Sequence, residues 1–197
     1  MLLFFASFVQ SFEFLAVNIP NMPLHIRPET SDDHPAVFTL LGQAFRDEPY
    51  SDHQEQFLVE RLRESDAFIP ELSLVGEVDG QLVGYILLTK IQIRNETQAF
   101  ESLALAPVAV LPSHQKQGIG GQLIEAAHAA ARNLGYGSVV LLGHAGYYPR
   151  FGYQRAESFG ISLPFDVPPD NCMAIELVPG ALDGVSGMVV YPKEFEG

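Results

Sequence analysis

Hydrophobic positions along this chain change period in a fixed order, and each change marks an element. Leu24 to Pro28 reads as a first strand. Ser31-Asp32-Asp33-His34 supplies helix N-cap chemistry before Val37, Leu40, Leu41 and Phe45, which recur at helical spacing. A second helix follows Tyr50 and carries Phe57, Leu58 and Leu62. Leu72 to Val78 and Leu82 to Ile93 are strands joined by Asp79-Gly80, a pair suited to a two-residue hairpin turn. Arg94-Asn95-Glu96-Thr97 is a polar turn, and Phe100 to Leu111 is a long apolar run interrupted by Pro107. Proline cannot donate to a ladder, so it predicts a bulge or an opening there. From Gln117 to Leu134 the stripe Ile119, Leu123, Ile124, Ala127, Ala130, Ala131 and Leu134 predicts a helix stopped by Gly135 and Gly137. Ser138 to Leu142 is a buried strand, Tyr147 to Phe151 a short helix or turn, and Tyr153 to Leu163 and Cys172 to Leu177 further strands.

The resulting order is β-α-α-β-β-β-α-β-α-β-β, without internal repeats or a low-complexity linker. At 197 residues the chain suits one domain with ample core. Apolar content of 47% and an ordinary charge share place it among soluble globular proteins. We expect that domain over residues 22–178, with 179–197 as a Gly/Pro-punctuated tail packing on it. Residues 1–21 are apolar, with Glu13 the only charge and no Lys or Arg before Arg27, so they lack the basic start of a signal peptide. They are also too interrupted to span a bilayer. The expectation is an extension outside the core domain, from an upstream start-codon assignment.

Charge and cysteine content narrow the function classes. A net charge of −13 argues against nucleic acid as partner; it suits steering of a cationic amine, and an acidic surface that simply keeps the protein in solution accounts for it as well. Asp47, Glu48, Asp52 and Glu55 concentrate acidity around the first two helices; a solvated helix face accounts for them equally well. The lone Cys172 excludes an internal disulfide, no Cys/His cluster has zinc spacing, and a reducing cytoplasm follows. Cys172 lies in an apolar run with no basic neighbour, which reads as core rather than nucleophile.

The chemistry concentrates at Val110-Leu111-Pro112-Ser113-His114-Gln115-Lys116-Gln117-Gly118-Ile119-Gly120-Gly121. An apolar strand ends at a proline, and a glycine-rich segment opens a helix. The first amides of a helix lack intrahelical acceptors, and the dipole adds partial positive charge there, so an anion can sit on bare N–H groups. A P-loop is excluded because no Lys-Ser or Lys-Thr pair follows Gly118 and Gly120. A dinucleotide fingerprint is excluded because its third glycine position holds Leu123. What remains is Gln-x-x-Gly-x-Gly after a strand.

That loop resembles the acetyl-CoA pyrophosphate loop of the GCN5-related N-acetyltransferases, the GNAT family. Tyr147-Tyr148-Pro149-Arg150-Phe151-Gly152-Tyr153 resembles the family's second signature, and more closely a bacterial subgroup with Tyr-Tyr-x-Arg-Phe-Gly-Phe. The motifs span residues 100–155, and the order of elements extends the match over 22–178. The resemblance implies an α/β (α+β) GNAT fold: a mixed, mostly antiparallel sheet splayed between its fourth and fifth strands and flanked by helices. It implies an acetyl-CoA-dependent N-acetyltransferase that moves an acetyl group to a primary amine by direct attack in a ternary complex. The alternatives are a catalytically silent CoA-binding module, or an enzyme for a larger donor such as succinyl-CoA.

The implied cofactor contacts are Val108, Ala109 and Val110 to the pantetheine arm and Gln115, Lys116, Gln117, Gly118, Ile119, Gly120 and Gly121 to the pyrophosphate. Lys116 stands where many members carry glycine, which narrows the backbone choices at that position. Tyr148 is the implied general acid beside the sulfur, with Tyr147 the fallback. Glu101 is the candidate base, followed by His144; the asparagine that often contacts the cofactor in this region is missing from Gly143-His144-Ala145-Gly146. No metal, nucleic acid or membrane partner is expected. The acceptor is a small-molecule or peptide amine, and a homodimer is left open.

Overall fold

The computed structural model describes residues 23–196, so the expectation for residues 1–21 lies outside the described residues. Strand β1 (His25–Pro28) is followed by α1 (His34–Ala44), α2 (Glu55–Arg63), β2 (Ser73–Val78), β3 (Gln81–Arg94) and β4 (Ala99–Val110). Then come α3 (Ile119–Asn133), β5 (Ser138–Leu142), β6 (Gln154–Arg155), β7 (Ile161–Ser162), β8 (Cys172–Glu176) and β9 (Gly187–Val190). The strands form one sheet in the order β1-β2-β3-β4-β5-β8-β6, with β9 joining β3 to β7. The β4–β5 and β7–β9 pairs are parallel and the others antiparallel.

The period changes place most elements within a residue or two of their expected ends, and local chemistry explains the turns. Asp79 and Gly80 both take positive φ (49° and 78°), as the tightest hairpin turn requires. The N-cap position of α1 is Asp33, within the expected Ser31–His34 segment. Thr30 caps the 3-10 turn Ser31–Asp33 that leads into it, and Asp33 accepts from the Thr30 amide at 2.8 Å and from Arg27 at 2.7 and 2.9 Å. The bidentate guanidinium holds the Asp33 carboxyl well below the usual carboxylate range. Beneath α2 a polar cluster is buried: Arg63 pairs with Glu29 at 2.6 Å, and Ser73 bridges Glu29 and Tyr85. Pairing of every member is what makes such burial tolerable.

Helix α3 lays Ile119, Leu123, Ile124, Ala127 and Ala131 on the sheet, as its stripe predicts. Two stripe positions differ: Ala130 is only half-buried, and Leu134, beyond the last helical residue, is 44% exposed. His128 takes a place on the buried face, its Nε2 2.9 Å from the Tyr153 hydroxyl.

The expected continuous strand from Tyr153 to Leu163 is broken into β6, a helical turn over Ala156–Phe159, and β7. Ser158 donates its hydroxyl to the Arg155 carbonyl at 2.6 Å and Gly160 its amide to Glu157 at 3.0 Å. Local bonds of this kind compete with a ladder and win here.

Within the segment read as a tail, β9 pairs with Gln92–Arg94 of β3 and with β7. The approach is close: Gly187 has φ 135°, and an added Cβ would lie 2.1 Å from the Arg94 carbonyl oxygen. Gly187→Ala should therefore destabilise the fold by about 3 kcal/mol, the combined scale of overpacking and backbone strain. Urea denaturation checks this, and a loss below about 1 kcal/mol would show that β9 does not hold this register.

Candidate active site

Strand β4 is held by β3 along its whole length but by β5 only at Leu103↔Val139 and Ala104↔Val140. Beyond Ala104 the two parallel strands part, so the β5-facing edge of residues 105–110 has no partner strand among the described residues. The expected bulge at Pro107 is present. Ile86 pairs with Val108 and Leu88 with Leu105, so Ala106 and Pro107 together oppose Leu87. A bulge redirects the backbone groups that follow it, here those of Val108 to Val110.

The strand runs into the glycine loop, and Gly118 (φ 80°) becomes the cap of α3. The amides of Ile119, Gly120 and Gly121 are then first-turn N–H groups without intrahelical acceptors. Gln115 does not reach outward; its amide donates to the Val110 carbonyl at 3.2 Å and ties the loop to the strand end. Lys116 adopts φ 63°, the left-handed conformation glycine takes without strain, at a cost of about 1 kcal/mol.

Strand edge, loop and the turn after β5 enclose a cavity of about 380 Å³. Val108, Ala109, Val110, Gln115, Lys116, Gly118, Ile119, Gly120 and Gly121 all line it; Gln117 does not, and its amide turns toward the Ser113 carbonyl. The opposite wall is Tyr147, Arg150 and Phe151, with His114 at the loop. Arg150 lies 4.6 Å over the Tyr147 ring and donates its Nε to the Tyr147 carbonyl. In a chain of net charge −13, a cavity bordered by Lys116, Arg150 and His114 is a local exception that suits an anion.

The two tyrosines divide their positions. Tyr147 forms cavity wall, with its hydroxyl 3.2 Å from where a Gly120 Cβ would stand. Tyr148 sits behind it, fully buried, edge-on to Tyr147 at 5.2 Å and to Tyr153 at 5.6 Å. Its ring crosses Gly143 so closely that a Cβ there would lie 2.4 Å away. Asn171 clamps Gly143, accepting its amide at 2.8 Å and donating Nδ2 to its carbonyl at 2.9 Å. The Tyr148 hydroxyl has no hydrogen-bond partner among the described residues. Burial, then the neighbouring Tyr147, pushes its pKa well above that of a free phenol, so it stays protonated throughout the physiological range.

The two base candidates separate. Glu101 is exposed near the start of β4 and borders a different groove with Lys90, Arg94 and Lys193. Val108 is seven positions further along the strand, roughly 23 Å away. His144 belongs to the turn that carries Tyr148: its carbonyl accepts the Tyr147 amide at 3.0 Å, and its ring stands 6.5 Å from that of Tyr50, in the turn between α1 and α2. Among the described residues no group of His, Cys, Asp and Glu could hold a metal ion, and no helix is long and apolar enough to cross a membrane.

The family model for the acetyltransferase (GNAT) domain matches residues 25–156, from β1 to just past the Tyr148 turn. The chain belongs to the GNAT family. As a GNAT chain it is an acyltransferase, and its relatives share the fold over nearly its full length. The uncharacterised N-acetyltransferase YhbS of Escherichia coli is 29% identical over 86% of this chain and 97% of its own. The uncharacterised N-acetyltransferase YjhQ, also of Escherichia coli, is 37% identical over 60% of this chain and 66% of its own. The crystal structure of YhbS in complex with CoA superposes with a TM-score of 0.81, at 28% identity, over 91% of this chain and 95% of that one. A GNAT acetyltransferase of Brucella melitensis in complex with acetyl-CoA gives a TM-score of 0.73, at 33% identity, over 88% and 99%. The fold expected from the sequence, a mixed and mostly antiparallel sheet with flanking helices, is the fold of these proteins.

Proposed function

We propose that the protein is an acetyl-CoA-dependent N-acetyltransferase that acts on a primary amine by direct attack in a ternary complex. The observation that carries this reading is the cavity itself, in which an unpaired strand edge, a helix start with free amides and basic side chains line one continuous wall. The residues present fit a CoA thioester. Gly118, Gly120 and Gly121 keep the helix start bare for the pyrophosphate, and Val108 to Val110 offer backbone groups to the pantetheine as an added strand would. The two GNAT structures above hold CoA and acetyl-CoA, which supports the same donor here.

Acetyl-CoA, when bound, supplies an activated carbonyl whose C–S bond breaks as the amine nitrogen forms its C–N bond. Tyr148 is the group we assign to the sulfur. Its buried hydroxyl carries a proton and has no protein acceptor, and a departing thiolate gives it one. Gly143 and Asn171 hold the Tyr148 ring in place, and Tyr147 closes the wall in front of it. The proton that the attacking amine sheds restores the phenol. Glu101 has no part in this scheme because it lies at the far end of β4. Glu101→Gln should leave turnover within about twofold, since a change remote from the chemistry removes no transition-state contact. A tenfold fall in kcat would return it to the mechanism.

The overall reading is tested by thiol release from acetyl-CoA over a panel of amines, with the acetylated product confirmed by mass. Tight CoA binding without transfer to any amine would instead mark a silent CoA-binding module. We place the protein in the cytoplasm, where a free thiol such as Cys172 stays reduced, with a small-molecule or peptide amine as its partner.

A further inference from the structure

Strands β4 and β5 part beyond the Ala104↔Val140 pair, and side chains fill the apex of the wedge between them. They leave an apolar cavity of about 10 Å³ there, the scale of one water or one methyl group. Ala104 and Ala106 of β4 and Leu141 of β5 form two of its sides. The rings of Phe165, Tyr191 and Phe195 form the third. These rings come from the loop between β7 and β8 and from the segment after β9. They pack as a row, with Tyr191 5.4 Å from Phe165 and 4.9 Å from Phe195, centroid to centroid.

Position ties this small cavity to the cofactor track. Ala106 and Val108 flank Pro107 at the bulge, Ala106 lining the small cavity and Val108 the large one. On the other strand, Leu141 Cδ1 and Tyr148 Cε2 lie 3.1 and 2.4 Å from one point, the Cβ that Gly143 lacks. A pantetheine laid from Val110 to Val108 with its sulfur at Tyr148 therefore aims whatever the sulfur carries at Ala106 and Leu141. An acetyl group ends in a single methyl, which the space accepts. Each further methylene meets Leu141 or the aromatic row, and extra atoms in a packed core are costly. A terminal carboxylate, as on a succinyl chain, also meets no cation among these side chains. Tyr191 borders the groove of about 500 Å³ that holds Glu101 as well, so its ring stands between the small cavity and a much larger space.

We propose that Phe165, Tyr191 and Phe195 set the acyl length of the donor by closing the apex of the wedge, so that an acetyl thioester fits and longer acyl chains do not. This rests on the acyltransferase reading above, and it names the residues that choose among the donors open to that reading.

Calorimetric titration of the full chain with CoA, acetyl-CoA, butyryl-CoA and succinyl-CoA tests it. Wild type should bind butyryl-CoA and succinyl-CoA at least about tenfold more weakly than acetyl-CoA, since one methylene too many in an apolar pocket is worth roughly 10- to 200-fold. Tyr191→Ala should bring butyryl-CoA to within about threefold of acetyl-CoA and leave CoA within about twofold of wild type. Ala106→Val, which fills the cavity, should weaken acetyl-CoA at least about tenfold and CoA no more than about twofold. Equal binding of acetyl-CoA and butyryl-CoA by wild type overturns the proposal, and so does a Tyr191→Ala protein that still rejects butyryl-CoA. Equal losses of CoA and acetyl-CoA affinity in Ala106→Val also overturn it, because they mark a change in the fold and not in acyl fit. If Tyr191→Ala does not fold, Phe165→Ala decides by the same titration. Wild type that binds neither CoA nor acetyl-CoA would remove the acyltransferase reading itself, and the proposal with it.

Discussion

Tyr148→Phe should lower kcat by about 100-fold or more while leaving the acetyl-CoA dissociation constant within about twofold, the range expected when a positioned proton donor is removed. The ring is locked by Gly143, Tyr147 and Tyr153, so phenylalanine keeps the packing and loses only the hydroxyl. That hydroxyl has no protein partner to lose. The protein should therefore be no less stable without it, because a buried polar group with no bond contributes nothing to the fold. Tyr147→Phe is the internal control. Tyr147 lines the cavity but its hydroxyl lies over Gly120, at the pyrophosphate end. Its loss should act on cofactor affinity more than on kcat. Melting curves and saturation kinetics on both variants check the pair, and equal kcat losses would erase the division of roles.

Gly120→Val should raise the acetyl-CoA dissociation constant at least tenfold with little change in thermal stability. A Cβ at Gly120 points between the Tyr147 hydroxyl (3.2 Å) and Val110 Cγ2 (3.7 Å), into the cavity. The first contact is the far end of a side chain that can shift, so the fold tolerates the atoms. The cofactor track does not, because the valine methyls occupy the space over the first-turn amides. A tenfold loss is about 1.4 kcal/mol, a small part of what a phosphate on a helix N-terminus with a nearby cation contributes. Calorimetric titration with acetyl-CoA measures it. Unchanged affinity would move the pyrophosphate away from this loop.

The legible parts of the site are those made of backbone or of contiguous motif. Gly118, Gly120 and Gly121 announce a bare helix start, and Pro107 announces a bulge, because these residues restrict or free the chain locally. The helix stripe of α3 was readable for the same reason. What the pattern could not show depends on distant partners. His128 sits on an apolar face because the Tyr153 hydroxyl is there to meet it. Strand β9 is short, and its partner Gln92–Arg94 lies nearly a hundred residues earlier, beyond any local signal. Glu101 looked placed for catalysis because it shares a strand with Val108, but a strand is long and its two ends serve different surfaces. Glu55 is the converse: nothing in a run of acidic residues says which one is buried with an oxygen to spare.

A crystal structure of the protein with CoA would show whether the cavity delivers a thioester sulfur to the Tyr148 hydroxyl. The pyrophosphate should lie on the amides of Ile119 to Gly121, the pantetheine along Val108 to Val110, and the sulfur within hydrogen-bonding reach of Tyr148 Oη. A sulfur lodged elsewhere, with Tyr148 still buried behind Tyr147 and touching nothing of the cofactor, would contradict it.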